Sequence, residues 1–314
     1  MDESGLRIFG DVGTVQNRRD IALTIGNFDG VHLGHMHVID TLKRQSGGLP
    51  LVVLTFDPHP SVLLSSTQAK QPLQSLNDRV ELLLQRGIDA VVVQEFSGAF
   101  SRLSADEFFR EYLMKKFSVK QAVLGFDFCY GARRSGDWQH FESSARRYGF
   151  QALRASPFLV DGHPVSSSRI RASILEHDFE NVERLLGRAF TLSGVVVKGD
   201  QRGRLIGFPT ANLGLELDAG TALPFGVYAV EVFLPGETRP RLGVMNCGVR
   251  PTIADGLKLQ IETHIIGFAG DLYGCNISFA VRKFIRSEMK FSGLDGLKAQ
   301  IAIDVQQSRS FFGV

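Results

Sequence analysis

Five short apolar runs punctuate the first half of the chain: Ile21 to Ile25, Leu51 to Phe56, Ala90 to Gln94, Gln121 to Leu124 and Gln151 to Leu153, with helical spacing between them. Apolar runs of this length read as strands buried on both faces, and helices interposed between such strands force parallel pairing through crossovers. One helix is expected from Ser75 to Arg86, stopped at Gly87. Another runs from Phe108 to Phe117 behind the capping box Ser104-Ala105-Asp106-Glu107. The expected architecture is an α/β domain with a parallel sheet covered on both faces.

Ligands of such sheets bind outside the carboxyl ends of the strands, and the loops that follow the strands here carry the polar chemistry. After the first run comes Gly26-Asn27-Phe28-Asp29-Gly30-Val31-His32-Leu33-Gly34-His35. It places two histidines at a helix start, where free N–H groups and the helix dipole attract anions and imidazoles can donate to phosphate oxygens. Asp57-Pro58-His59-Pro60 follows the second run, and Gly125-Phe126-Asp127-Phe128, with Gly131 and Arg134, follows a later one. Ser166-Ser167-Ser168-Arg169-Ile170-Arg171 stands at another helix start, with hydroxyls and two arginines suited to clamp an anion. Zinc is a competing reading of His32, His35 and His37, but no cysteine or acidic partner stands at ligand spacing. Neither a Walker loop nor a dinucleotide fingerprint is present, so the phosphate site is of another kind.

Beyond about Leu186 the pattern changes. Short β-rich segments (Gly194 to Lys198, Val227 to Phe233, Leu242 to Met245, Leu259 to Ile266, Asn276 to Phe284) alternate with Gly/Pro/Asp turns, and helical spacing returns at Leu294 to Gln307. A small antiparallel β-barrel with a terminal helix is expected, joined through a helical connector at Ser173 to Arg188. The domains are accordingly 1–186 and 187–314. The barrel half has its own dense motif, Gly199 to Asn212. Its glycines Gly199, Gly203 and Gly207 suit a phosphate chain, and Thr210 and Asn212 offer hard oxygen ligands for magnesium. Glu262, in an alternating strand, faces either the barrel interior or solvent.

A net charge of +2 gives no field for nucleic acid, and no apolar run is long enough to span a bilayer. Three widely spaced cysteines without a CxxC, and an N-terminus lacking a signal-peptide core, point to the cytoplasm.

With these residues in view, the whole chain resembles the bacterial bifunctional riboflavin kinase/FAD synthetase family. Gly26 to His35 resembles its GxFDGxHxGH motif, Phe56 to Pro60 its FxPHP segment, Gly125 to Gly131 its GxDFxxG loop and Ser166 to Arg171 its SSxxIR segment. Gly203 to Asn212 resembles the GRxxGFPTAN signature, and Gly243 to Thr252 and Ile285 to Phe291 extend the likeness. The resemblance implies a Rossmann-like nucleotidyltransferase domain followed by a kinase barrel. Riboflavin and ATP would give FMN and ADP, then FMN and ATP would give FAD and pyrophosphate, both with Mg2+.

It further implies His32 and His35 as catalytic groups at the ATP phosphates, with Gly26, Phe28, Asp29, Gly34, Ser167, Ser168, Arg169 and Arg171 holding ATP. Gly199, Gly207 and Pro209 would hold the kinase's ATP, Thr210 and Asn212 the metal, and Glu262 would be the base for the ribityl hydroxyl. Asp127 and Arg286 would serve the flavin. Three departures stand out: Met36 where relatives often carry glutamine, Gly267 within a His-x-x-Asp-Phe stretch, and Cys129 in the GxDFxxG loop. A monofunctional adenylyltransferase with a flavin-sensing barrel, and a flavin-responsive binding module, are the alternatives; the oligomeric state is left open.

Overall fold

A computed structural model describes residues 6–64, 71–199, 203, 206–214, 221–252 and 256–314. Asp200, Gln201, Arg202, Arg204 and Leu205 of the glycine-rich motif lie outside the described residues. The chain divides into two units, one comprising Met1–Lys70 and Leu76–Ser167, the other Gln71–Ser75 and Ser168–Val314.

The first unit is built on strands β1 (Leu6–Gly10), β2 (Asp20–Ile25), β3 (Leu51–Asp57), β4 (Ala90–Glu95), β5 (Ser118–Leu124) and β6 (Gln151–Arg154), ordered β1-β4-β3-β2-β5-β6. All pairs are parallel except β1 on β4. That antiparallel edge departs from the all-parallel expectation: β1 lies in a mixed, polar stretch and is recruited by backbone pairing, not by an apolar run.

The central strands are buried on both faces, and alternation divides their side chains between two cores. Ile21, Leu23 and Ile25 pack with Phe108, Phe109, Leu113, Phe141 and Phe150; Ala22, Val53 and Val91 pack with Ile39, Leu42 and Leu83. Around the sheet run α1 (Val12–Gln16), α2 (Leu33–Gln45), α3 (Ser61–Leu64) and α4 (Leu76–Gln85). They are followed by α5 (Ala105–Glu107), α6 (Met114–Lys116), α7 (Trp138–Tyr148) and a short hairpin, β7 (Leu159–Val160) with β8 (His163–Pro164). The capping box at Ser104 and Glu107 forms as expected, but Phe108–Leu113 adopts a wider π-helical turn between α5 and α6. From β2 the sheet grows one way to β3 and β4, then returns to β5 on β2's other side. The carboxyl ends of β2 and β5 therefore form a topological switch point, where α/β sheets place their ligands.

The expected connector is two helices, α8 (Ser167–Leu175) and α9 (Phe179–Leu186), broken at His177, whose φ is +58°. Helix α9 packs on the barrel. Phe179 meets Tyr228 edge-on, and Arg282 pairs with both Glu231 and Glu183 at 2.6 Å.

The barrel is closed by β9 (Phe190–Val197), β10 (Ala211–Gly214), β11 (Gly226–Phe233), β12 (Arg241–Thr252), β13 (Gly256–Ile265) and β14 (Asn276–Arg286), in the order β10-β13-β12-β11-β14-β9. Along β13, Ile261, Thr263 and Ile265 are buried and face inward opposite Cys247, Met245 and Gly243. Burial pushes the Cys247 thiol up to about 12, so it behaves as a packing group. Helix α10 (Leu294–Phe312) docks on the wall: Ser308 Oγ donates to Gly243 O, and buried Asp304 accepts two hydrogen bonds from Arg286.

Candidate active sites

Between β2 and α2 the chain makes a constrained turn. Gly26 N–H still bonds to Leu54 O at 3.0 Å, then Phe28 and Val31 take φ values of +50° and +35°. Such angles cost a bulky or β-branched residue of order 1–3 kcal/mol and collect at ligand sites. Both side chains are buried beneath the turn, as is that of Asp29.

His32 is the N-cap of α2, not a residue within it. Its Nδ1 accepts from His35 N–H at 3.3 Å. An imidazole that accepts at Nδ1 while neutral carries its proton on Nε2, so the cap fixes a tautomer with Nε2–H as donor. The rings of His32 and His35 stack with centroids 3.6 Å apart. A Cβ on Gly34 would press on the His32 ring and on Val165 O, so glycine permits this close approach.

Stacked rings do not converge lone pairs on one ion, and His37 lies instead 3.3 Å from Ser156 Oγ. Among the described residues no group of three His, Cys, Asp or Glu side chains could hold a metal. The zinc reading has no geometric support. Met36, the departure next to His35, packs against the apolar core.

Sequence spacing gave no hint of Arg79. This arginine of α4 is 6% exposed and reaches under both strand-end loops, donating from one terminal nitrogen to Asn27 O at 2.7 Å and from the other to Phe56 O at 3.3 Å. Burial pulls its pKa down, while Asp29 and Asp57 oppose that shift. It thereby ties the histidine turn to the Asp57-Pro58-His59-Pro60 segment, where Arg7 also pairs with Asp57 at 2.6 Å and the Asn27 amide lies 3.3 Å from His59 Nε2.

Ser167 Oγ donates to Asp29 O at 2.9 Å, which holds this serine at the turn. Ser168, Arg169 and Arg171 belong to the second unit, where Arg171 Nε donates to Gln71 O. Asp127 is exposed in the loop after β5, whose Phe126 carbonyl accepts from Arg154 at 2.8 Å. Cys129, in the same loop, lies 3.4 Å from the Arg134 guanidinium.

In the barrel, strand register assembles a polar patch. Asn212, Glu262 and Asn246 are direct cross-strand partners on β10, β13 and β12. They share a face, opposite to inward-pointing Ile261 and Thr263, so Glu262 stands on the outer wall and not in the barrel interior. Asn212 is nonetheless buried, because Gly199 crosses it so closely that a Cβ there would lie within 2.5 Å of the Asn212 amide. Gln260, also unforeseen, donates from Nε2 to Glu262 Oε1 at 2.6 Å and to Asn212 Oδ1 at 3.0 Å.

Pro209 and Thr210, just before Asn212 in the chain, line a cavity of about 340 Å³ together with Ile265, Phe268, Leu272 and Tyr273 among others. Pro209 O accepts from His264 Nδ1 at 2.9 Å, and Gly207 turns the chain with φ +84°. Gly267, the second departure, takes φ +70° in the tight turn after β13. Arg286, expected beside the flavin, gives Nε and one terminal nitrogen to Asp304 and donates from the other to Ser287 O.

A doubly wound sheet with a histidine-capped strand-to-helix turn, followed by a closed barrel with a carboxylate and amides on its wall, is the architecture of a two-domain phosphate-transfer protein. The FAD synthetase family model matches residues 14–169 and the riboflavin kinase family model residues 186–312. The bifunctional riboflavin kinase/FMN adenylyltransferase of Escherichia coli K12 is 41% identical, covering 93% of each chain. Those of Listeria monocytogenes and Bacillus subtilis are 39% and 36% identical, each covering 92% of both chains. A solved structure described as a macrolide-efflux protein from Streptococcus pneumoniae superposes with TM-score 0.75 at 30% identity, covering 92% of this chain and 94% of that one. Among the described residues no helix is long and apolar enough to cross a membrane. The chain belongs to the bifunctional riboflavin kinase/FMN adenylyltransferase family.

Proposed function

We propose that this chain makes FAD in two steps at two separate sites, with the kinase chemistry assigned to residues 187–314 and the adenylyl transfer to residues 1–186. What supports the reading is the coexistence of two polar arrangements whose chemistry suits phosphate. One is the stacked His32/His35 pair on a constrained strand-to-helix turn; the other is the Glu262–Gln260–Asn212 cluster on the barrel wall.

In the barrel, the terminal ribityl hydroxyl of riboflavin attacks the γ-phosphorus of ATP, its proton passes to Glu262, and ADP leaves. The cavity beside Thr210 and Pro209, with Phe268, Leu272 and Tyr273, offers an apolar wall for the base of the nucleotide. Gly199 and Gly207 lie in the segment that would track its phosphates. Thr210 and Asn212 fit magnesium in chemistry. Both are neutral oxygen donors, and Mg2+ commonly completes its shell with phosphate oxygens and water, so a site with few protein ligands suffices. Magnesium bound there would neutralise charge on the transferring phosphate.

In the N-terminal domain, a phosphate oxygen of FMN attacks the α-phosphorus of ATP and pyrophosphate leaves. Nε2–H of His32 and the ring of His35 donate to phosphate oxygens as charge builds, with Gly26, Phe28, Asp29 and Gly34 forming the turn beneath them. Ser167, Ser168, Arg169 and Arg171 hold the triphosphate. Asp127 and the remaining donors of Arg286 attend the flavin at their respective sites. Cys129, Cys247 and Cys275 are free thiols, in keeping with a cytoplasmic setting. Nucleic acid and membrane have no place in this scheme.

Separated assays test the assignment. His35→Ala abolishes FAD formation from FMN and leaves riboflavin phosphorylation intact; Glu262→Ala does the converse. Losses of about two to three orders of magnitude match removal of a charge-stabilising or acid–base group. Loss of both activities from either change, with the fold intact, refutes the two-site assignment.

A further inference from the structure

A base works only if its oxygen stands where the proton leaves, and a glutamate on a barrel wall has three torsions to fix. We infer that Gln260 is the residue that positions Glu262 for the kinase step. Two residues apart on β13, the two side chains emerge on the same face. A single amide nitrogen carries two hydrogens, and the Gln260 Nε2 atom lies 2.6 Å from Glu262 Oε1 and 3.0 Å from Asn212 Oδ1. Both hydrogens are thus spent on one task, bridging the carboxylate of β13 to the amide oxygen of β10.

Glu262 and Asn212 are direct cross-strand partners, and the bridge ties the carboxylate to the buried Asn212 side chain. Without that donor the carboxylate loses the hydrogen bond that fixes Oε1, while Asn212, buried against Gly199, keeps its place. Gln260 itself needs no contact with substrate; it is a positioning residue and acts through Glu262. The inference rests on the reading of Glu262 as the base.

The test substitutes Gln260→Met, which keeps the length of the side chain and removes the donor. The kcat for riboflavin phosphorylation falls about 10- to 100-fold, the loss expected when a catalytic group is displaced by about an ångström. KM for riboflavin and for ATP stays within about twofold, since ground-state binding is untouched. Riboflavin affinity, read by quenching of flavin fluorescence, and FMN adenylylation are unchanged. Combined with Glu262→Gln, the substitution costs nothing beyond Glu262→Gln alone, because residues acting as a unit are not additive; a merely structural contribution multiplies.

Unchanged kinase kcat in Gln260→Met, or a multiplicative double variant, overturns the inference while leaving Glu262 as the base. Full kinase turnover in Glu262→Gln overturns the base itself. If Gln260→Met does not fold, Gln260→Asn, which withdraws the amide by one methylene, replaces it under the same criterion.

Discussion

Replacing Arg79 with methionine tests how the adenylyl-transfer site is held together. The guanidinium is buried and binds two backbone carbonyls on different loops. Hydrogen bonds to a charged donor are each worth about 1.5–3 kcal/mol, and the 3.3 Å bond to Phe56 belongs at the low end. Asn27 O retains a second donor in Thr55 Oγ1 at 3.0 Å, so the loss falls mainly on Phe56 and on Asp29 and Asp57, which lose a nearby positive charge.

Relief of the buried guanidinium's desolvation offsets part of that, and breaking a buried charge network sets an upper bound of about 3–5 kcal/mol. The net cost is about 2–4 kcal/mol, or roughly 5–15 °C in the melting of a domain this size. Calorimetry of Arg79→Met should show the N-terminal transition lowered by that amount. FAD formation from FMN should fall about 100-fold as the turn shifts, with riboflavin phosphorylation unchanged. Arg79→Lys, whose ammonium cannot fork to both carbonyls, should fall between. Wild-type melting and wild-type FAD formation in Arg79→Met would show that the guanidinium does not hold the two loops.

Gly203→Ala would drive a Cβ into the Phe208 carbonyl oxygen, displacing the segment before Thr210; riboflavin phosphorylation should drop at least about tenfold in a steady-state assay while FAD formation from FMN persists. Asp304→Ala removes the bidentate partner of partly buried Arg286 and should destabilise the barrel by about 3–5 kcal/mol in urea titration. His177 stacks on Phe284 at 3.7 Å, and burial lowers its pKa from the ordinary 6.5. The unfolded chain then binds this proton more tightly, so the stability contribution is full above about pH 6.5 and is lost as pH falls from there through the lowered folded value. Barrel melting followed from pH 7.5 downward should show a shallower decline in His177→Phe.

Much of this architecture was legible because buried strands announce themselves. All five apolar runs of the first half became β2 to β6, with boundaries shifted by a few residues. Strand β1 was hidden because an edge strand needs only backbone pairing, and β10 because Ala211–Gly214 is short and embedded in a glycine-rich motif read as a loop. That second omission mattered, since β10 is what sets Asn212 opposite Glu262. The histidine pair was visible as a motif, but its stacking and the capping role of His32 depend on the φ/ψ of the turn, which spacing does not encode. Arg79 and Gln260 were invisible for different reasons. Arg79 acts on residues 52 and 23 positions away, and Gln260 acts through a strand pairing that exists only once the barrel closes.

Two sites working in series impose an order on the products, and a time course of the purified protein with riboflavin, ATP and magnesium, resolving FMN and FAD by chromatography, reads that order. The two-site scheme predicts that FMN appears first with ADP, and that FAD and pyrophosphate follow after a lag. FAD formed without FMN ever appearing, FMN that never proceeds to FAD, or the absence of any turnover would contradict it.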